Sequence, residues 1–286
     1  GAKRVVGGAC KVCVWCLDLK QQLMEHCAAA FEPLVPCLCG WMVCCDSRVQ
    51  WVADGTLVPD GVALTIDDVP RKGTQVAHVL ELTRMLQQRN ARATFFVFFD
   101  RLNYASDDTN TKRMVEAFVY GVKEGNHEVG LHFPGRWGNQ MSLVDLKGQT
   151  MRSLAIAKRF GLPVRYVRMP GGFSTPAQVE YLNSQNLTVV NGTAYPGDAD
   201  VCSCLAAKVL GRCAARLANN GDGRIVILHD DKRLIAKLAA FFEQLYRQQK
   251  RAVTLSELFG PPRISAERVL RSDGGDTALA PLFVPL

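Results

Sequence analysis

Asp67 and Asp68 close an apolar run, Gly61 to Ile66, just ahead of Val69-Pro70. Two adjacent carboxylates resist joint ionisation in a dry site unless something holds them. A metal ion beside one of them is the simplest solution. One carboxylate is then a ligand, and the other is left as a base. That division of labour suits hydrolysis by a metal-activated water. An Asp-Asp pair after a strand also serves as a turn or a helix cap, so the pair alone decides nothing.

Three further apolar runs end in chemistry. Asn126 to His132 ends in a His, Val167-Arg168 ends in an Arg before Met169-Pro170-Gly171-Gly172, and Ile225 to His229 ends in a second His followed by Asp230. Asp, His, Arg and His therefore stand where strands hand over to loops. In a barrel of parallel strands those ends converge on one face, where active sites are built.

The elements that must position them alternate along the chain. Strands are expected at 62–66, 93–99, 128–132, 164–168, 187–191, 224–228 and 252–254. Ala93 to Phe99 is apolar or β-favouring throughout, as a strand covered on both faces should be. Amphipathic stretches at 74–89, 112–124, 143–160, 176–185, 203–219 and 231–249 read as helices. Thr111, Ser142 and Thr175 stand before three of these helix-like stretches as plausible caps, and Pro176 occupies a first helical position. Such alternation predicts a parallel α/β fold, and closing the sheet buries both faces.

These motifs resemble the polysaccharide deacetylases, the NodB-type carbohydrate esterases that include chitin and peptidoglycan deacetylases. Thr65-Ile66-Asp67-Asp68-Val69-Pro70 is similar to the family's first motif, and Asn126-His127-Glu128-Val129-Gly130-Leu131-His132 to its second. Arg168-Met169-Pro170-Gly171-Gly172 is similar to the third, and Ile227-Leu228-His229 to the fifth. Order and spacing agree over roughly residues 58–260. The resemblance implies a distorted (β/α)7 barrel. It implies Asp67 as general base, Asp68 and His132 as metal ligands, His229 as general acid and Arg168 as the partner of the base. The implied metal is divalent: zinc first, with cobalt or manganese as alternatives. The implied partner is an N-acetylated amino-sugar polymer. His127 alternates away from His132 and reads as structural.

The chain departs from the family where ligands are expected. A second His usually follows the first by four residues, and here that position is Arg136. Arg cannot ligate a metal and would repel one. Weak binding is expected, with Asn139, Asp198 or water as a further ligand. Phe133 stands where Ser or Thr is typical, and Val69 replaces a Gly, narrowing the loop beside the carboxylates. The fourth motif is irregular, with Tyr195-Pro196-Gly197-Asp198 in its place. Asp198 is expected to tune His229, and Trp137 and Tyr195 offer flat faces on which sugars stack. An impaired, carbohydrate-binding barrel is the alternative to a hydrolase.

Composition bounds the rest. The 286 residues are 48% hydrophobic and carry a formal charge of +7, all of it after residue 60. That excess suits solubility or an acidic polymer or cell surface. No basic run interleaved with aromatics suggests nucleic acid. The domain reading is an extension over 1–57, the barrel over 58–260 and a tail over 261–286. Eight of eleven cysteines precede residue 46. They fit a disulfide-laced extension, a zinc site or an acylated leader. Glu32, Pro33 and Pro36 interrupt the apolar stretch 28–45, which is a poor membrane span and leaves membrane association of the leader open. Glycosylation triplets at Asn186 and Asn191 lean toward a secreted or cell-surface location.

Overall fold

The structure is a computed structural model. It describes residues 58–103, 108–135, 137–196, 198, 207–217 and 225–260. The Cys-rich segment 1–57, Arg136, Cys202, Cys204 and the tail 261–286 lie outside the described residues. Among the described residues, no helix is long and apolar enough to cross a membrane.

Seven strands form one sheet in which every pairing is parallel. They are β1 (Gly61–Val69), β2 (Thr94–Val97), β3 (Glu128–His132), β4 (Val164–Arg168), β5 (Thr188–Val189), β6 (Ile225–His229) and β7 (Arg251–Val253). The order is β5-β4-β3-β2-β1-β6, with β7 against the start of β1. Among the described residues the α-helices are α1 (Val76–Gln88), α2 (Thr109–Glu124), α3 (Leu143–Arg159), α4 (Pro176–Ser184), α5 (Ala207–Leu217), α6 (Leu234–Arg247) and α7 (Leu255–Phe259). The segment after β5 bridges to β6: Ala194 N donates to Ile225 O at 3.0 Å, and Ile227 N donates to Ala194 O at 2.9 Å. That bridge curls the sheet into the expected (β/α)7-type barrel.

Alternation along each strand sorts side chains between two cores. Val62, Leu64 and Ile66 pack with helix residues such as Leu82, Leu86 and Phe118. Ala63 packs inside the curl with Phe96, Tyr166 and Val190. Gly130 lies beside Phe96, and a Cβ there would meet the Phe96 ring at 2.6 Å. By the same parity Thr65, Asp67, His132, Arg168 and His229 all face inward. Leu131, Val167 and Leu228, one residue earlier on β3, β4 and β6, all belong to the outer core.

Helix starts follow local chemistry. Ser142 Oγ accepts from Asp145 N at 3.0 Å, and Thr175 with Gln178 forms a reciprocal cap. Thr111 is not the cap of α2. Asp108 accepts from Asn110 N at 3.0 Å, so α2 starts earlier and Thr111 lies within its first turn. A carboxylate near a helix N-terminus also meets the favourable end of the dipole.

Candidate active site

The parity rule fails at one residue, and the site depends on it. Strict alternation would send Asp68 outward beside Leu64 and Ile66. Instead the β1–β2 register shifts between Ile66 and Val69: Ile66 pairs with Phe95, yet Val69 pairs with Val97. The extra residue is a β-bulge. Asp68 takes φ 67°, a left-handed conformation that Asp tolerates better than most residues. The bulge keeps Asp68 off the outer face and returns Val69 to the core, where it is 2% exposed. Val69 therefore packs in the core, which corrects the expectation that it narrows the loop beside the carboxylates.

Asp67 is buried, and Arg168 holds it. Nη1 of Arg168 donates to Asp67 Oδ1 at 2.6 Å and to Thr65 Oγ1 at 2.7 Å. Thr65 Oγ1 in turn donates to Val226 O at 2.7 Å. The guanidinium lies 4.1 Å from the centroid of the Phe96 ring, and Nε donates to Val190 O. Burial pulls the Arg168 pKa down, and the Asp67 charge pushes back. The guanidinium so placed fixes the orientation of the Asp67 carboxylate.

His132 faces Asp68. Its Nδ1 lies 2.6 Å from Arg168 O and donates to that carbonyl. The other ring nitrogen, Nε2, lies 3.5 Å from Asp68 Oδ1. Phe98 stacks on the His132 ring, with centroids 5.1 Å apart. Arg101 covers Phe98 at 4.0 Å and donates to Pro70 O at 2.7 Å. Burial raises the Asp68 carboxyl, but the hydrogen bond with His132 and the charges of His229, His132 and Arg101 outweigh it and hold it below the ordinary range. One carboxylate and one imidazole suit a divalent ion such as zinc. Among the described residues, no group of three His, Cys, Asp or Glu side chains could hold a metal.

His229 is the register partner of Asp67 on the neighbouring strand. Its Nδ1 lies 2.8 Å from Asp198 Oδ1, and its backbone N–H donates to Asp198 Oδ2 at 3.0 Å. Burial pushes the imidazole down, but the charge and hydrogen bond of Asp198, with Asp67 and Asp68 behind it, lift it to about 9. Asp198 itself is fully engaged, because Lys237 Nζ takes Oδ2 as well. Asp198 is thus a partner of His229, and its expected role as a spare metal ligand is corrected. Asn139 is exposed on a short 3-10 turn, Gly138–Gln140.

The remaining candidates divide. Tyr195 lies against the His229 ring, with centroids 5.6 Å apart. Trp137 packs edge-on against Phe173, in the loop after β4. His127 is structural as read: Ala93 N donates to its Nδ1 at 3.3 Å, and burial pushes it down to about 4, so the ring stays neutral. Sequence reasoning missed Thr65, Arg101 and Lys237. Lys237 left a signal, since Leu234, Lys237, Leu238 and Phe241 recur at the spacing of one apolar helix face.

Residues 54–190 match the family model described as polysaccharide deacetylase. The barrel has the fold of the solved polysaccharide deacetylases. Among solved structures it is similar to a peptidoglycan N-acetylglucosamine deacetylase, with 20% identity, a TM-score of 0.58 and coverage of 75% of this chain and 92% of that one. It is similar to the chitin deacetylase of the fungal pathogen Colletotrichum lindemuthianum, with 22% identity, a TM-score of 0.57 and coverage of 74% and 92%. It also resembles a CE4 family pseudoenzyme from Bacillus anthracis, with 18% identity, a TM-score of 0.55 and coverage of 70% and 65%. No curated protein sequence matches the chain.

Proposed function

We propose that the chain is a metal-dependent hydrolase that removes N-acetyl or similar acyl groups from an amino-sugar polymer. The observation that carries this reading is the pairing of Asp67 with His229 across adjacent strands, each held by its own buried partner. A base fixed by Arg168 and an acid fixed by Asp198 then flank one point at the sheet edge. Asp68 and His132 Nε2 would hold the ion, and when bound it would polarise the amide carbonyl and acidify a water. Asp67 takes the proton from the attacking water. The acyl carbon–nitrogen bond breaks, and His229 delivers a proton from Nε2 to the departing amine. Tyr195, beside His229, offers a face to the sugar. The positive excess after residue 60 suits an acidic polymer or cell surface, in keeping with a secreted or surface location.

A second reading is a catalytically impaired barrel that binds carbohydrate. Arg136, in place of a second imidazole, favours it. One experiment separates the two. Purified chain is loaded with zinc and offered N-acetylated chitin oligomers, alongside Asp67→Asn. The hydrolase reading expects acetate release that Asp67→Asn abolishes while zinc binding persists. Oligomer binding without acetate release under any metal would decide for the impaired barrel.

A further inference from the structure

Lys237 lies on α6 among Leu234, Leu238 and Phe241, and none of its side chain is exposed. Helix α5 packs closely on α6 at this point: a Cβ at Gly211 would meet the Lys237 main-chain O at 2.3 Å. A buried ammonium is expensive, and an apolar residue of similar length often packs as well or better. Packing alone therefore gives no reason for a Lys at this position.

Its partners do. An ammonium has three N–H donors, and here it makes two hydrogen bonds and a further ion pair. One meets Asp198 Oδ2, one donates to His229 O at 2.9 Å, and one faces Asp231 Oδ1 at 3.3 Å. All three partners are His229 itself, its ring partner, or the residue two positions further on. Asp198 Oδ1 takes the ring Nδ1–H, while Oδ2 is shared between Lys237 and the His229 backbone N–H. A carboxylate turns readily about its last torsion. Without Lys237, the partner left on Oδ2 among the described residues would be the His229 backbone N–H.

We propose that Lys237 is a positioning residue for His229: it locks the Asp198 carboxylate so that Oδ1 holds the ring Nδ1–H and leaves Nε2 to face the site. The catalytic meaning of this role rests on His229 serving as the acid of the proposed hydrolysis. The ring geometry does not rest on it, so the test reads the ring directly.

The full chain and Lys237→Met are compared by nitrogen-15 NMR of the His229 ring. Expected is a protected Nδ1–H in the unaltered chain and, in the folded Met variant, exchange at least about tenfold faster, the loss of one charge-assisted hydrogen bond. If Lys237→Met does not fold, Lys237→Gln keeps a donor for Asp198 and should show a smaller acceleration. A folded variant with unchanged His229 ring signals would overturn the proposal, because a merely structural lysine leaves them alone. Failure of both variants to fold would also overturn it, making Lys237 a stability residue only. If the chain turns over substrate, kcat should fall in the folded variant with KM nearly constant. Absence of turnover in the unaltered chain bears on the hydrolase reading and leaves the ring test intact.

Discussion

The ring Nδ1 of His132 donates to the main-chain carbonyl of Arg168 at 2.6 Å, while the side chain of the same Arg168 grips Asp67 at 2.6 Å. One residue therefore sets both halves of the site. Its backbone fixes which His132 nitrogen faces Asp68, and its guanidinium fixes the Asp67 carboxylate. The His132↔Arg168 register between β3 and β4 makes this double use available. Such outer partners commonly fix the tautomer and aim of a ligating His.

Arg168→Met should therefore be severe. Both partners of the Arg168–Asp67 pair are nearly sealed from solvent, at 2% and 3% exposure. Breaking one side of a buried pair costs about 3–5 kcal/mol, because the other charge is left alone. Denaturant unfolding should show that loss, and adding Asp67→Asn should recover part of it. A loss below about 1 kcal/mol would mean that Asp67 is not held as a buried charge.

Asp68 separates backbone from ligand. At φ 67° a Gly is relaxed and an Ala is strained. Asp68→Gly should leave thermal stability nearly unchanged, and Asp68→Ala should cost about 1–2 kcal/mol more. Both should abolish zinc binding measured by calorimetry. Equal stability of the two variants would argue against the bulge geometry.

Much of this was legible in the chain because parallel strands covered on both faces leave apolar runs. The runs ending at His132, Arg168 and His229 are strands with those bounds at their ends. The bulge was not legible, because one inserted residue leaves no repeat to count. β1 thus continues to Val69, beyond the expected end at Ile66. β2 is shorter than expected because Phe99 opens a 3-10 turn that brings Arg101 over Phe98. Lys237 shows in the sequence as a polar break in an apolar helix face, but its partner Asp198 lies 39 residues away and leaves no local pattern. Arg136 falls outside the described residues, so the expectation drawn from it rests on its position in the motif.

His229 gives the chain a pH signature. Its folded pKa, about 9, lies above the ordinary imidazole value of about 6.5. The folded state binds this proton more tightly, so the stability it contributes is complete below about 6.5 and fades as pH rises through about 9. The difference in unfolding free energy between the unaltered chain and His229→Gln should be on the order of 3 kcal/mol near pH 6 and shrink through pH 9. A difference that grows with pH would mean that the ring is buried neutral. If the chain is a hydrolase, His229→Ala should also slow turnover roughly 10²- to 10⁴-fold, the usual effect of a lost general acid.

Arg136→His bears on whether the site is merely one ligand short. Asp68 and His132 present a carboxylate and an imidazole 3.5 Å apart, and tetrahedral zinc sites use three or four protein ligands. Two ligands should bind zinc weakly, with exchange against chelator in minutes. An imidazole four residues after His132 would add a third ligand and remove a repelling charge. Zinc affinity measured by calorimetry should then rise at least about tenfold, within the range seen when a metal's supporting interactions change. Acetate release from chitin oligomers should rise with it. If affinity does not move, Arg136 does not occupy the ligand position, and the reason for expecting an impaired site disappears with it. If affinity rises but acetate release does not, the limit lies in the Asp67 and His229 pair, and the carbohydrate-binding reading gains the ground.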